Sequence, residues 1–232
     1  MSLKSSIILP VLNQEDHISR IIREYHKALA KIEHEFILVV NPSSDNSLLV
    51  SHALVKELGK ETVRVVPSKH KGWGRSVLIG LDKATGDILC YTNSSRTTPE
   101  DLGLAIRLAQ FSPEQDYVIK AMRRFRKSRV RRIGSLIYNI EARTIFDLAS
   151  WDVNGTPKVF SRNIYQKVHL KERGDLIDLE FLVESKRNGF LVIEFATTNT
   201  ERHGGKSTTN IKSAIKMYLG VLRLSVRYRG KM

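Results

Sequence analysis

A chain of 232 residues, 41% of them hydrophobic, is long enough for one sizeable core and fits one large domain with a C-terminal appendage. Its 38 basic residues against 24 acidic ones leave a net charge of +14, so an anionic partner is expected: nucleic acid, an anionic membrane face or a phosphorylated substrate. A single cysteine excludes an internal disulfide, and no apolar run approaches the ~20 residues that a spanning helix needs.

The first ten residues, MSLKSSIILP, hold an apolar run too short for a secretory leader, and a cytosolic setting is expected. Residues 6–9 read as a short apolar strand. The loop Pro10-Val11-Leu12-Asn13 follows, with Asn13 as the N-cap of the next helix. Ile18, Ile21, Ile22, Tyr25 and Leu29 recur at helical spacing, so that helix is expected to pack one face on a sheet. Residues 35–40 (EFILVV) are a second buried strand, followed by a polar turn (41–47) and a helix (48–58). Residues 62–66 are a third strand. The segment KHKGWGR (69–75) then leads into a helix that runs through Ala84. Residues 88–91 are a fourth strand, with Cys90 as a small core residue. It ends in the turn Thr92-Asn93-Ser94-Ser95-Arg96, before a helix opening at Pro99. Residues 117–120 are a fifth strand.

Strands alternating with helices at this pitch predict an α/β fold: a doubly wound, mostly parallel central sheet with helices on both faces. The loops at Pro10, Asn41 and Asn93 then lie at the carboxyl ends of strands and converge on one crevice, where such sheets bind ligands. The turn 92–96 carries hydroxyls, an amide and a guanidinium, with no carboxylate before Glu100.

Beyond Lys120 the composition shifts. Lys120, Arg123, Arg124, Arg126, Lys127, Arg129, Arg131 and Arg132 form a basic run without one acid. A helix over 133–148 follows, with apolar Ile133, Leu136, Ile137, Ile140 and Ile145. Then come a turn (151–157), a strand (158–161), a helix (178–186), a strand (190–195) and the polar loop 201–207. The last helix, about 209–228, is amphipathic: Ile211, Ile215, Tyr218, Leu222 and Val226 on one side, Lys212, Lys216, Arg223 and Arg227 on another. It reads either as a terminal helix packed on the domain or as an interfacial helix on anionic lipid. The basic run reads either as a solvated face or as a phosphate site, since Arg forks match phosphate oxygens bidentately.

Other classes fit less well. One cysteine and seven scattered histidines do not make a zinc site. Only Phe125 interrupts the basic run as an aromatic, and no nucleic-acid-binding signature is present. A dinucleotide dehydrogenase needs G-x-G-x-x-G after its first strand, and this chain has PVLNQE there.

In order and spacing, SIILPVLNQE, EFILVVNPSSDNS, KGWGRSVLIGLDKATGDIL, the fourth strand with PEDL, DVNGTPKVFSR, LEFLVESKRNGF and ERHGGKS resemble the family 2 glycosyltransferases of the GT-A fold, close to the polyprenyl-phosphate (dolichol-phosphate) sugar transferases. The likeness covers about residues 5–207. It implies a GT-A domain (1–207) with a nucleotide-binding half (1–122) and an acceptor half (123–207), followed by a basic amphipathic helix (208–232). It further implies transfer of a sugar from a nucleotide-sugar to a polyprenyl phosphate or another cell-envelope glycan intermediate, by a protein peripheral on the inner face of the cytoplasmic membrane.

By the same resemblance, Pro10, Leu12, Gln14, Asn41, Ser43, Lys71, Gly72 and Arg75 are donor-binding candidates, with Thr92, Asn93, Ser94 and Arg96. Arg123, Arg124, Arg202, Lys206 and Ser207 are candidates for phosphate or acceptor. Asp152, Asp178 and Glu180 are the catalytic candidates: Asp152 either orients the sugar or the attacking group or is a turn-forming residue, and Asp178 and Glu180 serve as a base if the acceptor is a hydroxyl, Glu180 being otherwise a helix-surface charge facing Lys or Arg. The chain departs from the family at telling places. Leu12-Asn13-Gln14 stands where the family has aromatic-Asn-Glu, and Val40-Asn41 where it has an Asp pair. Thr92, Asn93 and Ser94 stand at the D-x-D motif whose carboxylates hold Mg²⁺ or Mn²⁺. Asn41 either reads the base by donating or accepting, or is a turn residue before Pro42. Either cationic side chains neutralise the diphosphate, Arg96, Arg202, Lys206 and Arg75 among them, or the chain is a catalytically degenerate member acting as a binding or regulatory partner.

Overall fold

A computed structural model describes residues 3–111, 116–123, 129–197, 202–204 and 211–229. Of the candidate residues, Arg124, Lys206 and Ser207 lie outside that set. Strands β1 (Ser5–Val11), β2 (His34–Val40), β3 (Val63–Pro67), β4 (Ile88–Tyr91), β5 (Tyr117–Arg123), β6 (Lys158–Ser161) and β7 (Leu191–Thr197) form one sheet in the order β3-β2-β1-β4-β6-β5-β7. Every neighbouring pair is parallel except the two made by β6, which runs antiparallel to β4 and β5. The expected mostly parallel, doubly wound sheet is therefore present, with one inversion. Because β6 is inverted, its first residue, Lys158, lies at the edge where β4 and β5 end, opposite Tyr91 and Lys120.

The strands alternate their side chains between two cores, as the period of two requires. Ile7, Leu9, Phe36, Leu38, Ile88 and Cys90 face α1 (Ile18–Ala28), α2 (Ser47–Leu58) and α4 (Pro99–Phe111). Ile8, Ile37, Val39, Leu89, Tyr91 and Phe160 face the core built with α3 (Trp73–Lys83), α5 (Arg129–Phe146), α6 (Arg162–Lys167), α7 (Ile177–Arg187) and α8 (Ile211–Tyr228). The predicted inward face of α1 is the observed one: Ile18, Ile21, Ile22, Tyr25 and Leu29 are all fully buried.

Three local expectations change. Pro10 and Val11 belong to β1 rather than to a loop, in register with Val39 and Val40. Asn13 does not cap α1: it takes a left-handed conformation, φ 51°, and its Oδ1 accepts from the Ser44 N–H at 2.9 Å. Asn is among the few residues that adopt this conformation at low cost, so the residue suits the turn. The third change concerns the helix expected over 133–148, which is α5, Arg129–Phe146. Ile133, Leu136, Ile137 and Ile140 are each at least half exposed, and Tyr138, Ala142 and Phe146 pack inward instead. In the same way α8 buries Val221, Leu224 and Tyr228, while Ile215, Leu219, Leu222 and Val226 face out.

Candidate functional site

The loops after β1 and β2 are laced together. Asn13 N–H donates to Ser43 Oγ (3.2 Å), Gln14 N–H to Ser47 Oγ (2.7 Å) and Glu15 N–H to Asp45 Oδ2 (3.0 Å). Asn41 is buried and joins three segments. Its Nδ2 donates to the Val11 carbonyl (3.1 Å), and its Oδ1 accepts from Gly72 N–H (3.2 Å) and Ser76 Oγ (3.1 Å). Its amide thus holds the start of α3 against the ends of β1 and β2. All three bonds are made within the protein. Lys71 is exposed beside it.

The Gly72-x-Gly74 pair has a packing reason. A Cβ on Gly74 would lie 2.6 Å from the Gly174 carbonyl and 2.8 Å from that of Glu172, and one on Gly72 would lie 2.9 Å from that of Arg173. The loop before α7 therefore sits directly on the start of α3. It accepts from the N–H groups of Gly74 (3.2 Å) and Arg75 (2.9 Å), donors that a helix N-terminus otherwise offers to an anion.

The turn after β4 is a closed neutral network. The Thr92 and Thr97 hydroxyls are 2.6 Å apart, Asn93 Oδ1 accepts from the Ser95 N–H (2.9 Å), and Ser94 Oγ donates to Gln14 Oε1 (2.6 Å). Ser95 Oγ meets His17 Nε2 at 3.3 Å. Residues 202–204 fold over the turn: His203 N–H donates to the Ser95 carbonyl (2.8 Å), and its ring Nε2 lies 2.9 Å from the Thr97 carbonyl. This brings Arg202 beside the turn and ties His203 to two backbone carbonyls.

Across the sheet edge lies a buried ionic cluster. Asp178, in the first turn of α7, accepts from Trp73 Nε1 (3.1 Å), the Tyr91 hydroxyl (3.0 Å) and Lys158 Nζ (2.5 Å). Lys158 is fully buried and also donates to the Gly155 carbonyl (2.8 Å). Burial pushes its pKa down to about 8, against the pull of Asp178. Asp152 accepts a bidentate fork from Arg123 (2.7 and 2.8 Å) together with the Arg123 N–H (3.0 Å). Lys120, also fully buried, pairs with Glu194 at 2.5 Å. Three cations thus face three carboxylates at the carboxyl edge of β4 and β5. Glu180 stands apart: its carboxylate accepts from the backbone of Lys171 and Glu172 (2.7 Å each) and from Arg227 of α8 (3.0 Å). That clamps α8 to the loop before α7, and burial raises its pKa.

The structure therefore brings Gln14 to Ser94, Asp178 to Trp73 and Asp152 to Arg123, and it separates Glu180 from the other two acids. Lys158, Trp73 and Tyr91 are not among the candidates, and Lys120, counted in the basic run, is fully buried against Glu194 and belongs to no solvated face. The available signal was a lysine inside a short apolar strand, PKVF and YVIK, because lysine is almost never fully buried unless it is paired.

Residues 6–169 match the family model described as Glycosyl transferase family 2. Among curated proteins, the chain is 24% identical over 225 residues to an undecaprenyl-phosphate 4-deoxy-4-formamido-L-arabinose transferase of Sodalis glossinidius, covering 92% of this chain and 65% of that one. It is 23% identical over 223 residues to the protein of that name from Pseudomonas fluorescens, covering 94% and 63%. The chain thus spans just under two thirds of the length of these two relatives. Among solved structures, glucosyl-3-phosphoglycerate synthase of Mycobacterium tuberculosis superposes with a TM-score of 0.69 at 15% identity, covering 95% of this chain and 78% of that one. Its complex with Mn²⁺, UDP and phosphoglyceric acid gives 0.72 at 16%, covering 95% and 76%. At that identity the likeness is one of fold, and the fold is GT-A.

Proposed function

The chain belongs to glycosyl transferase family 2, and from that premise we propose that it moves a sugar from a nucleoside-diphosphate sugar to a polyprenyl phosphate, or to another cell-envelope glycan intermediate, at a membrane surface. The relatives' names support the acceptor class. The observation that carries the reading is the position of Asp178. Its carboxylate sits where the end of β4 and the start of β6 meet the starts of α3 and α7, which supports a site between the nucleotide-binding half (1–122) and the acceptor half (123–207) of this reading. Trp73, Tyr91 and Lys158 fix its direction. A phosphate acceptor needs no base, because its oxygen is already anionic, so orientation suffices.

A divalent cation does not suit the residues at the metal corner. Thr92, Asn93 and Ser94 offer two hydroxyls and an amide, each hydrogen-bonded within the protein, where hard cations prefer carboxylate oxygens. Neutralisation of a diphosphate in this reading falls to Arg96, Arg202 and Arg75, with Lys71 and Lys206. Leu12 and Ser43 lie on the loops that would face the nucleotide, and Pro10 lies in β1 near its carboxyl end. The exposed apolar stripes of α5 and α8, beside Lys216 and Arg223, support docking on the anionic inner face of a cytoplasmic membrane.

Titration calorimetry with UDP-, GDP- and CDP-sugars, with and without chelator, tests the reading. Binding that chelator leaves unchanged is the expected result. Binding to none of the donors would overturn it in favour of a degenerate family member serving as a binding partner.

A further inference from the structure

Among the described residues, three buried side-chain atoms have no hydrogen-bond partner: Tyr138 Oη, Glu141 Oε2 and Asn154 Oδ1. Tyr138 and Glu141 are one turn apart on α5. Asn139 Oδ1, next to Tyr138, accepts from the Val153 N–H at 2.9 Å, which pins α5 to the turn that carries Asn154. Tyr138 itself is only 4% exposed. A buried hydroxyl without a partner is costly to leave unmet, and native proteins keep few such groups unless something answers them.

Resting on the transferase reading above, we propose that Tyr138, with Asn154 and Glu141, forms a recognition site for the hydroxyl groups of a sugar ring. The chemistry selects that class over an anion. The unanswered groups are a neutral phenol, an amide oxygen and a carboxyl oxygen, a mixed set of donors and acceptors that ring hydroxyls complement. The described cations nearby, Lys158 and Arg123, are already paired with Asp178 and Asp152. The charges of Asp178, Glu141 and Asp175 all bear on Tyr138. Together with burial they hold its phenol protonated, and they would repel a phosphate. The phenol then donates to a ring oxygen, and Asn154 and Glu141 accept from neighbouring hydroxyls. Tyr138 is a specificity residue in this scheme and takes no part in bond making.

Tyr138→Phe removes the hydroxyl alone. Calorimetry of wild type and variant against UDP-glucose and UDP, GDP-mannose and GDP, and CDP-glucose and CDP separates sugar from nucleotide. The expected result is a roughly three- to tenfold loss of affinity for the sugar-bearing member of whichever pair binds, with the bare nucleotide unchanged. Asn154→Ala is expected to show the same selective loss. Thermal unfolding supplies a second reading: the Phe variant is expected to be at least as stable as wild type, since an unpartnered hydroxyl contributes nothing to the fold. Equal affinities in wild type and variant, meaning an occupant no more specific than trapped water, would overturn the proposal, as would a marked drop in stability. Wild type binding no donor at all would remove the transferase premise and the proposal with it.

Discussion

Asp178 and Lys158 act as one unit. Both are buried, and each satisfies the other at 2.5 Å. Removing one partner of such a pair strands the other charge in a medium that cannot solvate it, at a cost of about 3–5 kcal/mol. Lys158→Met is therefore expected to lower unfolding free energy by about that much. Lys158→Met with Asp178→Asn is expected to recover most of the loss, and chemical denaturation of wild type and the two variants decides it. The pair also sets a pH dependence. The Lys158 pKa falls from its ordinary 10.5 to about 8 in the fold, burial being the largest cause and the charge of Lys120 adding to it. Between those two values the unfolded chain binds more protons than the folded one, so this residue makes stability rise with pH across that window. Below pH 8 both states are protonated, and the cost of burying the charge is present in full. Denaturation at pH 7 and pH 10 should show a larger gain for wild type than for Lys158→Met.

At the scale of elements, the seat of α3 on the loop before α7 couples the two halves of the site. Gly74 permits it, because any side chain there meets two carbonyl oxygens that belong to backbone and cannot swing aside. Gly74→Ala is expected to cost about 1–3 kcal/mol through overpacking and to displace Trp73 from Asp178. Tryptophan fluorescence and melting temperature report the two effects. Unchanged values of both would mean that the loop relaxes freely. The β4–α4 turn shows a different economy: Gln14 and Ser94 are neutral partners at 2.6 Å, where two carboxylates in contact would repel unless a cation lay between them. With neutral side chains at both positions the turn closes on itself.

For the whole molecule, the net charge and the uncovered helix faces belong together. Eight large aliphatic residues, Ile133, Leu136, Ile137 and Ile140 on α5 and Ile215, Leu219, Leu222 and Val226 on α8, are each at least half exposed on two helices that pack against each other through Tyr138 and Tyr218. No helix among the described residues is long and apolar enough to cross a membrane. Each cation near an anionic leaflet contributes roughly 1 kcal/mol before screening. The chain is expected to float with phosphatidylglycerol vesicles at low salt and less well at high salt, and Leu219→Glu is expected to weaken flotation several-fold. Equal recovery with neutral and anionic vesicles would argue against the surface.

The sequence by itself determined the order and kind of the elements, since strand and helix periodicity are local properties: EFILVV is a buried strand in any context, and the Ile18–Leu29 spacing is a helix face. It also showed that the metal corner lacks carboxylates, because Thr92, Asn93 and Ser94 can be read without a fold. Periodicity shows that α5 and α8 have apolar faces but not which neighbour covers them, and the tertiary structure turned those faces outward. Topology alone decided that β6 runs antiparallel, which sets Lys158 beside Tyr91 and within reach of Asp178, 20 residues away along the chain. It also placed Trp73 on that carboxylate from 105 residues away and carried Glu180 off to hold α8. A buried charge takes its partner from whatever the packed sheet edge brings within about 3 Å, and that proximity arises only when the chain folds.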